Sequence, residues 1–305
     1  MTKSKHYRDL ILLSALLALL AGCAGSGSST PSAHPSQPET PNQPGPEIPT
    51  PVAIPRVWGF YGDSHTAGRG NIASSASPSL VFRAIWASSG FETPIDIEVN
   101  GSSGRSLAGT REAFEADTFT QTPWIHAQES GNQNSDGQRT PQEFGATFES
   151  FWRAVDARYP DALKSYETAH SFQLIGGTWR DWQTTANWAD WGYADASNAR
   201  SYNEEMQYRI DLLAEDGIVV IPVYTAELID ALIARIPGGY LSIEDDSIRH
   251  YNGVGNFLIA LATFHSLGFD VTTLDFSTVT IHEDPTTDAA YKALCVNVIV
   301  DLGGD

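Results

Sequence analysis

The sequence predicts an α/β domain built on a parallel sheet with helices against both faces. Three observations carry this. Short apolar runs of strand length alternate with segments of helical periodicity. Several of those runs are continuously apolar, as strands buried on both faces are. And residues 56–305, about 250 in all, follow a proline-rich stretch and are ample for one such domain but tight for two.

The chain begins with Lys3, Lys5 and Arg8, then an apolar run from Leu10 to Leu20, then Leu20-Ala21-Gly22-Cys23. A basic start, a short apolar segment and small residues before the break describe an export signal, residues 1–22. The run is too short to span a bilayer comfortably. Leu-Ala-Gly-Cys resembles a bacterial lipobox, which implies cleavage before Cys23 and lipid attached to its thiol; the bland alternative is an ordinary signal peptide with an incidental cysteine. Ala24, rather than an aspartate, follows the cysteine. By the same resemblance, this points to the outer membrane of the cell envelope.

Residues 23–55 form a linker. Nine of the 17 prolines lie between Pro31 and Pro55, among Ser, Thr, Gln, Asn and Gly, a composition that buries little and stays extended. It reads as a tether to the membrane.

Five strand-like runs follow: Val57–Tyr61, Ile95–Val99, Ser171–Ile175, Ile218–Val223 and Thr278–His282. Helical patterns fall at Ser79–Ser89, Phe144–Arg158, Asn198–Ala214, Ala226–Arg235, Asn252–His265 and roughly 288–299. In the second, Phe148, Phe151, Trp152 and Val155 share one face. The segment Arg105–Gln142 is polar and breaks the alternation, so it reads as a long functional or disordered loop. There is no internal repeat.

The net charge is −19, and removal of residues 1–22 leaves it near −21. Such a surface disfavours nucleic acid and anionic lipid headgroups. The only cysteines are Cys23 and Cys295, so a lipidated Cys23 leaves no intrachain disulfide, and Cys295 in "ALCVNVIV" reads as a small buried hydrophobe. His126, His170, His265 and His282 are scattered without metal-ligand spacing, and neither metal nor cofactor is expected.

The chemistry gathers at the ends of the strand-like runs. Val57–Tyr61 leads straight into Gly62-Asp63-Ser64. Glycine permits the sharp turn, and a serine there has its hydroxyl at the carboxyl edge of the sheet, where open α/β sheets bind ligands. After the second run comes Asn100-Gly101-Ser102-Ser103-Gly104, whose small residues let backbone N–H groups approach a substrate. After the third comes Gly176-Gly177-Thr178-Trp179-Arg180-Asp181, and near the end Asp245-Asp246-Ser247-Ile248-Arg249-His250-Tyr251-Asn252-Gly253-Val254-Gly255. No Gly-x-Ser-x-Gly occurs, so a nucleophile-elbow hydrolase is not suggested.

These four blocks, in this order, resemble those of the SGNH (GDSL-like) hydrolases. The resemblance implies a three-layer α/β/α sandwich with a parallel, flavodoxin-like five-stranded sheet. It implies Ser64 as nucleophile, His250 as general base, and the N–H groups of Ser64 and Gly101 as oxyanion donors. Two departures stand out. Where the family has Gly-x-Asn-Asp, this chain has Thr178 or Trp179 in place of the asparagine, and Thr178 or Arg180 is the nearest substitute donor. Where the family has an aspartate three residues before the histidine stands Ser247; Asp246, or else Asp245, would then orient His250, or the site is a Ser–His dyad. His65 shapes the turn and is not assigned a catalytic part.

Trp179, Trp182, Trp188 and Trp191 crowd into one stretch. Indoles stack on sugar rings, so Trp179, Arg180 and Trp182 are candidate substrate contacts, and the expected substrate is a carboxylic ester, such as an acetyl group on a polysaccharide. Packing and lid duty is the bland account of the same residues. Two other functions stay open: an impaired envelope module that binds carbohydrate, and a lipid acyl hydrolase.

Overall fold

A computed structural model describes residues 51–68, 73–128, 140–168, 172–174, 178–180, 189–190, 194, 196–243 and 250–302. Its main sheet has five parallel strands: β1 (Val57–Gly62), β2 (Asp96–Gly101), β3 (Pro123–Gln128), β4 (Leu163–Glu167) and, last along the chain, β7 (Ile221–Val223). Their spatial order is β2-β1-β3-β4-β7. A short antiparallel pair, β5 (Phe172–Leu174) and β6 (Thr178–Arg180), forms a second sheet.

Eight α-helices complete the described chain: α1 (Ser64–Ala67), α2 (Pro78–Ser88), α3 (Leu107–Ala116), α4 (Pro141–Arg158), α5 (Tyr202–Glu215), α6 (Thr225–Arg235), α7 (Gly253–Ser266) and α8 (Pro285–Leu302). Helices α2, α6, α7 and α8 pack as one group, and α3, α4 and α5 as another. With the sheet they make the three-layer α/β/α sandwich.

Alternation along β1 shows why the sheet is apolar on both faces. Trp58 and Phe60 point into an aromatic cluster with Phe82 and Trp124, and Phe82 in turn stacks on Phe264 of α7 at 4.0 Å between ring centroids. Tyr61 points the other way, edge-on to Phe114 of α3. With side chains of strand period 2 buried on both sides, the run has to be apolar throughout.

Helix starts follow local chemistry. Thr140 and Glu143 form a reciprocal capping box ahead of α4, and Ser201 and Glu204 do the same for α5. Ser77 and Ser106 cap α2 and α3.

The structure corrects four element assignments. The segment 105–142 is not one long loop: it holds α3, β3 and the start of α4, with 129–139 outside the described residues. The strand β4 was not foreseen, since Leu163-Lys164-Ser165-Tyr166-Glu167 mixes charge with apolar residues. Its lysine is nonetheless buried, paired with Asp156 at 2.9 Å and donating to the Pro160 carbonyl at 3.0 Å. The third apolar run forms β5 of the small sheet and does not join the main one. And Thr278–His282 is not a strand. Val279 and Ile281 are buried, but the N–H groups of Ile281 and His282 donate to the Asp288 carboxylate at the start of α8, so no neighbouring strand is paired.

Candidate active site

Ser64 is the first residue of α1, immediately beyond β1. Asp63 caps that helix, its Oδ1 accepting the His65 N–H at 2.8 Å. Glycine is required just before it, because a Cβ on Gly62 would collide with the Gln128 carbonyl and the Thr66 hydroxyl. The turn is therefore clamped between β3 and its own helix, and Ser64 is held at the carboxyl edge of the sheet.

His250 arrives from the far end of the chain. Its Nε2 lies 2.8 Å from Ser64 Oγ, across 186 residues of sequence, and both side chains are largely buried. The backbone behind it is tightly fixed. Asn252 caps α7 by accepting the Val254 N–H at 2.9 Å, and its amide donates to the Ser242 carbonyl at 2.9 Å. Gly253 packs so closely on Ser75 and Ile281, and Gly255 on the Tyr251 side chain, that neither leaves room for a Cβ. Asn256 reaches from the first turn of α7 to the Ser75 carbonyl at 2.8 Å. The His-x-Asn-Gly-x-Gly-Asn spelling is thus mostly a packing requirement that holds His250 in place.

Gly101 ends β2 opposite Gly62 in the parallel register. A Cβ there would run into the backbone of Thr66 and Ala67, so the end of β2 lies directly against α1. Ser102 N–H donates to the Gly62 carbonyl at 3.2 Å, tying the two strand ends together. Beyond the glycine, Arg105 turns back and donates to the Asn100 side chain at 2.9 Å, while Asn100 donates to Asp117 at 3.1 Å. The loop that follows β2 is therefore braced from behind.

Among the sequence-derived candidates, then, the structure brings Ser64, His250 and Gly101 to one place. Asp245, Asp246, Ser247, Trp182 and Cys23 lie outside the described residues. Thr178, Trp179 and Arg180 form β6, paired to β5 in the small antiparallel sheet.

His65 packs against His250 with ring centroids 5.2 Å apart and meets Tyr251 edge-on at 5.8 Å. Two further residues enter the site's foundations without having been singled out in the sequence. Gln128, the last residue of β3, accepts a hydrogen bond from Thr66 of α1 at 2.9 Å. Glu167, the last residue of β4, stands next to Gln128 in the register and is buried. Burial raises its carboxyl well above the ordinary range, and the nearby charge of Asp63 adds to the effect. Recognising β3 and β4 as strands would have flagged both, since each closes a strand at the carboxyl edge. Among the described residues no group of three or more His, Cys, Asp or Glu is arranged to hold a metal ion.

No family model matches the chain, and no curated protein matches it. Solved structures do. A protein from Parabacteroides merdae described as GDSL-like superposes with a TM-score of 0.50 at 18% identity, covering 73% of this chain and 99% of the other. A variant of Axe2, an acetyl-xylooligosaccharide esterase from Geobacillus, superposes with a TM-score of 0.50 at 14% identity, covering 73% and 98%. At these identities the likeness is one of fold.

Proposed function

For a chain with the fold of the SGNH, or GDSL-like, hydrolases, we propose the function of a serine esterase acting on carboxylic esters. One observation carries the reading: Ser64 Oγ and His250 Nε2 are within hydrogen-bonding distance, 2.8 Å, at the carboxyl edge of the sheet. In this reading His250 takes the proton from Ser64 as the hydroxyl attacks the ester carbonyl. The N–H groups of Ser64 and Gly101 receive the oxyanion. His250 then returns the proton to the leaving alcohol, and water releases the acyl group from Ser64 by the same steps. Asp246, with Asp245 second, is the proposed orienting carboxylate, and Thr178 the proposed further oxyanion donor.

The finer reading is removal of O-acetyl groups from a polysaccharide, with Trp179, Arg180 and Trp182 touching the sugar. It is supported by the four tryptophans between Trp179 and Trp191 and by the fold shared with an acetyl-xylooligosaccharide esterase. The proposed location is the cell envelope at the outer membrane, through lipid on Cys23 once residues 1–22 are removed and with residues 23–55 as tether to the catalytic domain 56–305.

The deciding experiment is p-nitrophenyl acetate hydrolysis by the wild type, Ser64→Ala and His250→Ala, followed by acetate release from acetylated xylan. Turnover that both substitutions abolish supports the esterase. Wild-type turnover no faster than Ser64→Ala on these two substrates and on a long-chain p-nitrophenyl ester refutes it, and sugar binding without turnover would then identify a binding module. Activity confined to long-chain esters would replace the acetyl reading with lipid acyl hydrolysis.

A further inference from the structure

Tyr61 and Asn100 are partners in the register of β1 and β2, and each stands just ahead of a group the proposed chemistry uses. Tyr61 is three residues before Ser64, and Asn100 immediately precedes Gly101. Both side chains donate to one atom, Asp117 Oδ2: Tyr61 through its hydroxyl at 2.8 Å and Asn100 through its amide at 3.1 Å. Burial, and after it the bond to Asp117, push the Tyr61 phenol far up, so it stays a donor. The Asn100 amide oxygen in turn accepts from Arg105, in the loop beyond Gly101, at 2.9 Å. One oxygen thus ties together the strand that carries the serine and the strand that carries the oxyanion glycine.

Asp117 can act as a fixed point because the chain around it is clamped to α4. It caps the end of α3, its N–H donating to the Phe114 carbonyl at 3.2 Å. Arg158, the last residue of α4, donates to the carbonyls of Phe114 and Glu115 at 3.2 and 3.0 Å and to the Thr118 hydroxyl at 3.0 Å. The Phe119 N–H donates to the Tyr159 hydroxyl at 2.9 Å. Phe114 also meets the Tyr61 ring edge-on at 5.8 Å, so the same segment packs on β1 and bonds to it. β2 is an edge strand, held by the ladder on one side only. A second hold on its end opposes the local opening to which such edges are prone.

We propose that Asp117 is a positioning residue: by holding Tyr61 and Asn100 on one oxygen, it sets the Gly101 N–H at the distance from Ser64 that the oxyanion requires. This rests on the esterase reading. The effect belongs to the transition state. A planar ester carbonyl makes little use of the donor, whereas the tetrahedral oxyanion depends on its exact placement.

The test compares wild type, Ser64→Ala, Asp117→Ala and Asp117→Asn at a temperature well below every Tm. It measures kcat and KM for p-nitrophenyl acetate, or for whichever of the three substrates above wild type turns over, and Ki for phenylboronic acid. The boronic acid mimics the intermediate: Ser64 Oγ bonds to boron, the serine proton passes to His250, and a boron-bound oxygen takes the oxyanion's place. Asp117→Ala is expected to lower kcat and raise Ki by the same factor, about 10- to 100-fold, with KM unmoved. Asp117→Asn is expected to recover most of both, since one amide oxygen can accept two bonds. Unchanged kcat and Ki in Asp117→Ala overturn the proposal, because a brace for stability alone moves only Tm. So does a rise in KM at constant kcat, or an asparagine variant as slow as the alanine one. If Asp117→Ala does not fold, Tyr61→Phe removes the bond to β1 and keeps the ring. A fall in its kcat matched by a rise in Ki supports the role, and wild-type values overturn it. Wild-type turnover no faster than Ser64→Ala on all three substrates defeats the esterase reading and the positioning role with it. An active wild type beside an equally active Asp117→Ala defeats the role alone.

Discussion

Ser64 Oγ and His250 Nε2 stand 2.8 Å apart, although 186 residues separate them in sequence. Neither side chain is needed to bury the core, because the turn is held by Asp63 and Gly62 and the histidine by Asn252, Gly253 and Gly255. Replacing either with alanine is expected to lower kcat for p-nitrophenyl acetate by about 10⁴-fold or more, the scale on which members of such a unit act together. The double variant is expected to be no worse than the poorer single one. Tm should move by no more than a few degrees, which circular dichroism would check.

The glycines of the second block differ in what they tolerate. A Cβ on Gly101 meets the backbone of Thr66 and Ala67, which cannot give way as a side chain can. Gly101→Ala is expected to cost about 1–3 kcal/mol of stability and most of the activity, since it pushes β2 away from α1. Gly104 has φ +74 and open space around it. Gly104→Ala is expected to cost only the left-handed backbone penalty, about 1–2 kcal/mol. Denaturant unfolding of the two variants separates collision from conformational strain.

His126 on β3 is buried, its Nδ1 2.9 Å from Ser165 Oγ, and desolvation holds it at about 4 instead of 6.5. The native protein therefore keeps it neutral while the unfolded chain protonates it. Its contribution is whole above pH 6.5 and is lost as pH falls toward 4, up to about 3 kcal/mol at 1.36 kcal/mol per unit. His126→Gln is expected to lower stability at pH 7.5 but to show a shallower decline from pH 6.5 to 4 than wild type. Parallel Tm profiles for the two proteins would refute this.

Asn252 joins α7 to the segment ending at Ile243 through a side-chain bond to Ser242 and a backbone bond to Ile243. Asn252→Ala removes the cap and is expected to cost about 0.5–2 kcal/mol. Asn252→Asp keeps the acceptor for Val254 N–H but loses the donor to Ser242. If His250 is positioned through both bonds, kcat falls in the aspartate variant as well; if the cap alone matters, only alanine slows the enzyme.

The site was legible where it consists of backbone-determined blocks. Gly-Asp-Ser after an apolar run announces a turn at a strand end, and His-x-Asn-Gly before an apolar stretch announces a capped helix. Glu167 and Gln128 were not legible, because β3 begins with proline and carries His126 and Gln128, while β4 carries Lys164 and Glu167. These polar groups are paid for by partners distant in sequence, Asp156, Ser165 and Thr66 among them, which no local pattern reveals. The converse error arose at Thr278–His282, where Val279 and Ile281 alternate inward as a strand's would, but Asp288 takes the hydrogen bonds that a neighbouring strand would have made.

Read alone, the chain determines the alternation of strand and helix, the serine turn at the end of β1 and the histidine ahead of α7, because turn geometry, capping and period are local properties. Tertiary structure decided which runs join the sheet and in what order, and so brought β3 beside β1 and β4 beside β3, with Gln128 bonded to Thr66 of the serine helix and Glu167 next to Gln128 in the register. The reason is physical: a buried carboxyl or amide acquires its protonation and its partner only from groups that folding brings within a few ångströms, and neither is written in its neighbours along the chain.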